Sequence, residues 1–243
     1  MVKSLIKKFI DILTPMRLRQ YYRSEVDRQL LFGTISYSQE GEDLLLQRIF
    51  ENKISGFYVD VGAHHPERFS NTYLFYKKGW RGINIDAMPG SMELFKELRP
   101  DDVNLEVPIS DKTQDLTYYI FYERALNSFS SENVDKYILN GYKVERKIDL
   151  QTKRLDELLE EYMPKGQIID FLSIDVEGLD YKVLCSNNWE KFRPKFVLIE
   201  DLQSSNLDHL FKEGVTYKFM VENGYKLYAK TLNTLFFKDY HSL

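Results

Sequence analysis

In Phe57-Tyr58-Val59-Asp60-Val61-Gly62-Ala63-His64-His65-Pro66 a run of β-forming residues breaks at a glycine. Glycine accepts backbone angles closed to other residues, so the chain can turn tightly there and pass close to a ligand. Asp60 and two of the four histidines, His64 and His65, flank the turn. On either side, short apolar runs alternate with helical patterns. Residues 72–78 read as a helix, with Asn71 as N-cap and Gly79 just past its end. Gly82–Asp86 is a second strand, followed by a helix over 89–98 that begins at Pro89. Val103–Ile109 and Leu116–Tyr122 are further strands. Helices are expected over 131–139 and 152–162, then an apolar run over 168–176 and a helix to about Cys185. Phe196–Ile199 is another strand, residues 216–223 a helix, and residues 225–231 and 234–238 a closing hairpin.

Near-continuous apolar strands alternating with helices predict an α/β fold: a mostly parallel, doubly wound sheet covered on both faces, with an antiparallel C-terminal edge hairpin. Ligands in such sheets bind beyond the carboxyl ends of the strands. The first strand delivers Asp60, Gly62 and Ala63 there. A dinucleotide turn would need G-x-G-x-x-G to seat a pyrophosphate; one glycine and an acid suit a cationic ligand without phosphate, and S-adenosylmethionine fits. The second strand ends in Asp86, a residue type that accepts ribose hydroxyls, or else caps the helix after it. The third ends in Ser110-Asp111, within reach of an adenine amino group. The fourth ends in Asp175-Val176-Glu177-Gly178 and the next in Glu200-Asp201. On a strand, residues 175 and 177 face the same way. Four carboxylates brought to one rim would raise one another's pKa, and magnesium, calcium or manganese would relieve them. The plainer alternative is that these acids cap helices or pair with Arg193 and Lys195. His64 or His65 is a candidate base, or a metal ligand, or a packed loop residue.

The 243 residues suit one large domain, or one domain with an arm. With 43% hydrophobic and 29% charged residues, the composition excludes disorder and collagen-like repeats. A net charge of -4 speaks against a general nucleic-acid binder. The single Cys185 excludes an internal disulfide and fits a reducing compartment. No apolar run approaches the length of a membrane span and no secretory signal is visible, so a cytoplasmic location is expected. Residues 1–36 carry +4, and residues 1–16 show apolar positions at helical spacing. This basic amphipathic arm reads either as a peripheral membrane contact at the inner face or as a helix packed on the main domain or on a second subunit. The aromatic segment 116–142, with Asn127 and Ser128, reads as an insertion that walls an acceptor, or as a lid or homodimer contact.

The chain resembles the FkbM family of S-adenosylmethionine-dependent methyltransferases. The resemblance rests on Ser38-Gln39-Glu40-Gly41-Glu42-Asp43, residues 58–66, Ser70-Asn71-Thr72-Tyr73, residues 79–86, Leu155-Asp156 and residues 173–178, in that order. It implies a Rossmann-like class I methyltransferase domain over residues 37–243 and O-methylation of a sugar hydroxyl on a nucleotide sugar, surface glycan or glycosylated natural product. It implies that Asp60, Gly62 and Asp86 line the cofactor site with Gln39 and Asp43 near it; Ala63, Asn71, Ser110 and Asp111 complete the candidate cofactor residues. Asp175 would sit beside the transferred methyl as base, with Glu177 and His65 as further catalytic candidates. Asp175, Glu200 and Asp201 resemble the acidic site of macrocin-type sugar O-methyltransferases and imply Mg2+ or Mn2+. The rival functions are a nicotinamide-dependent dehydrogenase, disfavoured by the missing glycine pattern, and a non-catalytic scaffold that keeps the fold.

Overall fold

The computed structural model describes residues 33–202 and 206–241. Contacts divide the chain into Met1–Ser36 and Tyr37–Leu243; the basic helix expected over residues 1–16 lies outside the described residues. Among the described residues, no helix is long and apolar enough to cross a membrane.

The elements run α1 (Glu42–Ile49), β1 (Phe57–Val61), α2 (Tyr73–Lys77), β2 (Arg81–Asp86), α3 (Ser91–Leu98), β3 (Val103–Glu106) and β4 (Asp115–Phe121). After a 3-10 turn at Arg124–Leu126 come α4 (Ser131–Leu139), β5 (Val144–Gln151), α5 (Leu155–Tyr162), β6 (Phe171–Ile174) and α6 (Asp180–Cys185). The chain ends in β7 (Phe196–Glu200), α7 (Leu207–Glu213), α8 (Val215–Glu222), β8 (Tyr225–Lys230) and β9 (Thr234–Asp239). Seven strands form one sheet in the order β3-β2-β1-β6-β7-β9-β8. The first five are parallel, and β9 and β8 close the edge antiparallel. This is the expected doubly wound class. The chain leaves β1 toward β2 and β3, then returns to lay β6 on the other side of β1. That reversal opens a crevice at the carboxyl ends of β1 and β6.

Strand alternation sends side chains to two cores. Val59, Val61, Ile85, Ile174 and Ile199 pack with α5, α6 and α8 on one face. Tyr58, Phe171, Phe196, Leu198 and Phe236 pack with Leu46, Phe75 and Trp80 on the other. Asp60 shares the face of Tyr58, and its register partners are Asn84 and Ser173. A buried polar network therefore runs under the sheet's C-terminal rim. Arg99, fully buried, donates to Asp102 Oδ2 (2.9 Å), Tyr58 Oη (2.8 Å) and Thr72 Oγ1 (3.0 Å), and Thr72 Oγ1 donates to Asp60 Oδ2 (2.9 Å). Buried charges persist only when so paired.

Several boundaries differ from expectation. The cap of α2 is Thr72, not Asn71; Asn71 instead donates Nδ2 to Ser173 Oγ across the sheet end (3.0 Å). Helix α3 starts at Ser91, behind left-handed Gly90, so Pro89 stands outside it. Helix α5 starts at Leu155, because residues 144–151 form β5, which pairs antiparallel with β4. The residue pattern predicts neither β5 nor α7.

Candidate active site

The crevice widens into a concave, solvent-open cleft, the kind of place in which small molecules bind. Its walls come from the ends of β1 (Val61, Gly62, His64), β2 (Ile85, Asp86, Ala87), β3 (Val107, Pro108, Ile109) and β6 (Asp175, Val176, Glu177). Tyr118, Arg124, Asn127 and Phe129 of the insertion close it on one side. Gly62 turns at φ 87°, and a Cβ there would lie 1.7 Å from the Asp175 carbonyl oxygen. Only glycine lets the ends of β1 and β6 approach this closely. The Asp86 carboxylate accepts the His64 N–H (2.9 Å) and the Met88 N–H (2.8 Å), which fixes it at the cleft wall. Burial raises its pKa, against the pull of those two N–H groups.

Three carboxylates, Asp175, Glu177 and Glu200, each bring an oxygen within 4.8 Å of the others. Burial, then repulsion from Glu200, Asp180 and Glu177, holds the Asp175 pKa well above the ordinary range. Glu200 is pushed up to about 8, first by burial and then by Glu177 and Asp180, and its hydrogen bond to Asp175 opposes the rise. Two carboxylates bonded to each other share a proton. Burial also raises Glu177. Its backbone is left-handed, at φ 51°. The insertion holds it there: Ser128 Oγ and Asn133 Nδ2 donate to its carbonyl oxygen (2.7 and 3.1 Å), and Tyr137 Oη donates to its Oε2 (2.6 Å). Hard oxygen donors converging in this way fit magnesium or manganese, and the Tyr137 bond is the outer support such a ligand needs.

Asp201 is not in this group. On β7, Glu200 shares the face of Leu198, so the next residue turns to the opposite side. Glu177 takes its place, although not by strand alternation: β6 ends at Ile174, and the left-handed turn brings the side chain back.

The other candidates divide. Gln39 lies on the cleft wall. Asp43 is fully buried and accepts the Tyr37 N–H (2.7 Å) and the Ser38 hydroxyl (3.0 Å), so it anchors the loop before α1 and does not line the cleft. Asp60 sits behind the wall in the network of Thr72 and Arg99; burial pushes it up to about 6 while Arg99 holds it down. Ala63 packs with Met92 and Phe95. Asn71 lines a second, smaller cavity. Ser110 donates to Asp111 Oδ1 (3.0 Å) and is buried; the cleft wall beside it is Val107, Pro108 and Ile109. His65 Nδ1 accepts the N–H groups of Glu67 and Arg68 (3.1 and 3.0 Å), which makes it a turn-capping residue. His64 is the histidine on the cleft wall, and burial lowers its pKa, so it is neutral at pH 7.

Phe69 and Asn133 reach the site without a signal in the sequence, whereas Tyr137 belongs to the aromatic segment 116–142 and reaches it through Glu177. His64, Phe69 and Glu177 are the non-glycine residues with positive φ among the described residues, and all three line the cleft. Backbone strain concentrates at functional sites.

Among solved structures, a TehB-like SAM-dependent methyltransferase from Corynebacterium glutamicum is similar over 90% of this chain and 97% of its own, at 10% identity and a TM-score of 0.38. No curated protein shows significant similarity to the chain. Residues 60–227 match the family model described as the methyltransferase FkbM domain, from the acid of β1 into β8. The chain belongs to the FkbM methyltransferase family.

Proposed function

We propose that this methyltransferase moves a methyl group from S-adenosylmethionine to a sugar hydroxyl. The observation that carries the reading is one cleft that unites Asp86, the close Gly62 turn and Asp175. The apolar wall of Ile85, Val107, Ile109 and Leu179 suits a purine. Asp86 spends two acceptor sites on backbone N–H groups, and a carboxylate offers about four, so two remain for the ribose hydroxyls. The Gly62 turn draws the ends of β1 and β6 together and so sets Asp175 on the cleft, where the amino-acid end of the cosubstrate would lie.

Transfer is an in-line displacement: an O–C bond forms, the C–S bond breaks, and the sulfonium becomes a neutral thioether. The protein must align the hydroxyl and take its proton. Asp175 is the acceptor of that proton, and its bond to Glu200 keeps it oriented. Asp175, Glu177 and Glu200 would hold Mg2+ or Mn2+, which when bound makes a coordinated hydroxyl more acidic.

The test is transfer from methyl-labelled S-adenosylmethionine to nucleotide sugars and glycans. Asp175→Asn is expected to lower turnover by at least about 10²-fold while leaving S-adenosylhomocysteine affinity within a factor of about two. Full activity in that variant would remove Asp175 from the chemistry.

A further inference from the structure

We propose that the smaller cavity beside the acidic trio is the acceptor subsite, and that it admits neutral or cationic sugar rings and rejects anionic ones. The inference rests on reading the large cleft as the cosubstrate site. The cavity opens to solvent and shares Gln39, Phe69 and Asp175 with the cleft. A ring held in it would lie beside Asp175 and next to the cosubstrate's cleft, as a displacement between the two requires.

Its chemistry sets the class of ligand. Phe69 is 39% exposed and lines both spaces, with a backbone held left-handed at φ 57°. The Arg68 guanidinium lies over the ring at 4.2 Å and the His64 ring stacks with it, so the exposed part of Phe69 offers an apolar edge to the C–H groups of a sugar ring. The Gln39 amide, exposed and with no hydrogen bond among the described residues, can turn to donate or accept. The charged part of the wall is acidic: Glu40, Glu42, Asp175 and Glu200 line the cavity, and among the described residues no Lys, Arg or His does. Glu40 accepts from Thr231 Oγ1 and the Asn233 N–H, and Glu42 accepts from Thr234 Oγ1, all uncharged donors. A dication on the trio would still leave the cavity net negative. Like charge in a confined space is an effective way to refuse a ligand.

Part of the cavity wall lies outside the matched family segment. Gly62, Asp86 and Asp175 lie inside the matched family segment 60–227, whereas residues 39–42 and 233–234 lie outside it. The insertion expected to wall the acceptor contributes to the large cleft and supplies no residue to the small cavity.

Saturation-transfer NMR on the full chain saturated with S-adenosylhomocysteine tests this. The probes are methyl glycosides of glucose, galactose and mannose, each with its amino-sugar and uronic-acid counterpart. Neutral and amino probes are expected to bind, with uronic acids at least about tenfold weaker. In Asn233→Arg, which adds a cation to the wall, the uronic acids are expected to gain and the amino sugars to lose. Equal or preferred binding of uronic acids by the native chain overturns the proposal, as does silence from every probe while S-adenosylhomocysteine binds. Failure of S-adenosylhomocysteine to bind would instead overturn the reading of the large cleft, and the probe series on the unliganded chain would then decide the cavity by itself.

Discussion

Glu177 shows how one residue ties the insertion to the chemistry. A non-glycine residue at φ 51° costs about 1–3 kcal/mol, and three hydrogen bonds from Ser128, Asn133 and Tyr137 offset it. Nothing in Asp175-Val176-Glu177-Gly178 announces that turn, so the sequence yields Glu177 as an acid at a strand end without showing what holds it. The same limit separates His64 from His65: adjacent in sequence, one lines the cleft and the other caps a turn. Gly62 is legible, because a glycine at the end of a buried strand has few other uses, although its contact with Asp175 is a fact of packing. Gly62→Ala places a Cβ against the Asp175 carbonyl oxygen and forces β1 and β6 apart. Its expected effect is a loss of about 1–3 kcal/mol in stability and at least about tenfold weaker S-adenosylhomocysteine binding, read by thermal melting and calorimetry. An unchanged affinity would mean that the turn does not shape the site.

The elements that the sequence shows plainly are those that bury both faces: β1, β2, β6 and β7 read as apolar runs because helices cover them on either side. Strand β5, Val-Glu-Arg-Lys-Ile-Asp-Leu-Gln, is half exposed in a two-stranded sheet and offers little apolar signal; α7 buries only Leu210. Strand β7 carries the charge-sensitive end of the sheet. Glu200 is pushed up to about 8, so the native state binds its proton more tightly than the unfolded chain does. Stability from this group is present at low pH and is lost as pH rises toward 8. The opposing effect of His64 and His65, whose pKa values are lowered, fades as pH rises through and past the free imidazole value near 6.5. Between pH 6.5 and 8 the loss is at most about 1.4 kcal/mol per pH unit for one proton, or a few degrees in melting temperature at about 2–4 °C per kcal/mol. Glu200→Gln is expected to flatten that slope, and so is added magnesium if the trio holds it. A melting temperature that climbs over this range in metal-free buffer would contradict the electrostatic picture of the trio.

At the scale of the whole molecule, the strand order places the site between β1 and β6, and the antiparallel hairpin closes the far edge. The hairpin and the parallel class follow from the alternation of elements and are legible in the sequence; the strand order that puts β6 beside β1 is not. Nor is it legible that residues far apart in the chain meet beside Asp175: Glu40 binds Thr231 and the Asn233 N–H, and Glu42 binds Thr234 Oγ1 (3.0 Å). These bonds fasten the start of α1 to the β8–β9 hairpin and shape the smaller cavity. Glu42 is buried, and Glu42→Ala would leave its partners unsatisfied at a cost of about 1–3 kcal/mol. Faster amide exchange in β9 than in β1 is the expected signature; uniform exchange across the sheet would show that the hairpin needs no such fastening.

The cleft's claim on an adenosyl cosubstrate is the centre of the account, and titration calorimetry with S-adenosylhomocysteine tests it most directly. The native chain is expected to bind in the micromolar range. Asp86→Asn, which weakens the acceptor offered to the ribose, is expected to bind about tenfold or more weakly, since a hydrogen bond to a charged group is worth about 1.5–3 kcal/mol. No heat from the native chain, or equal affinity in the two proteins, would contradict it.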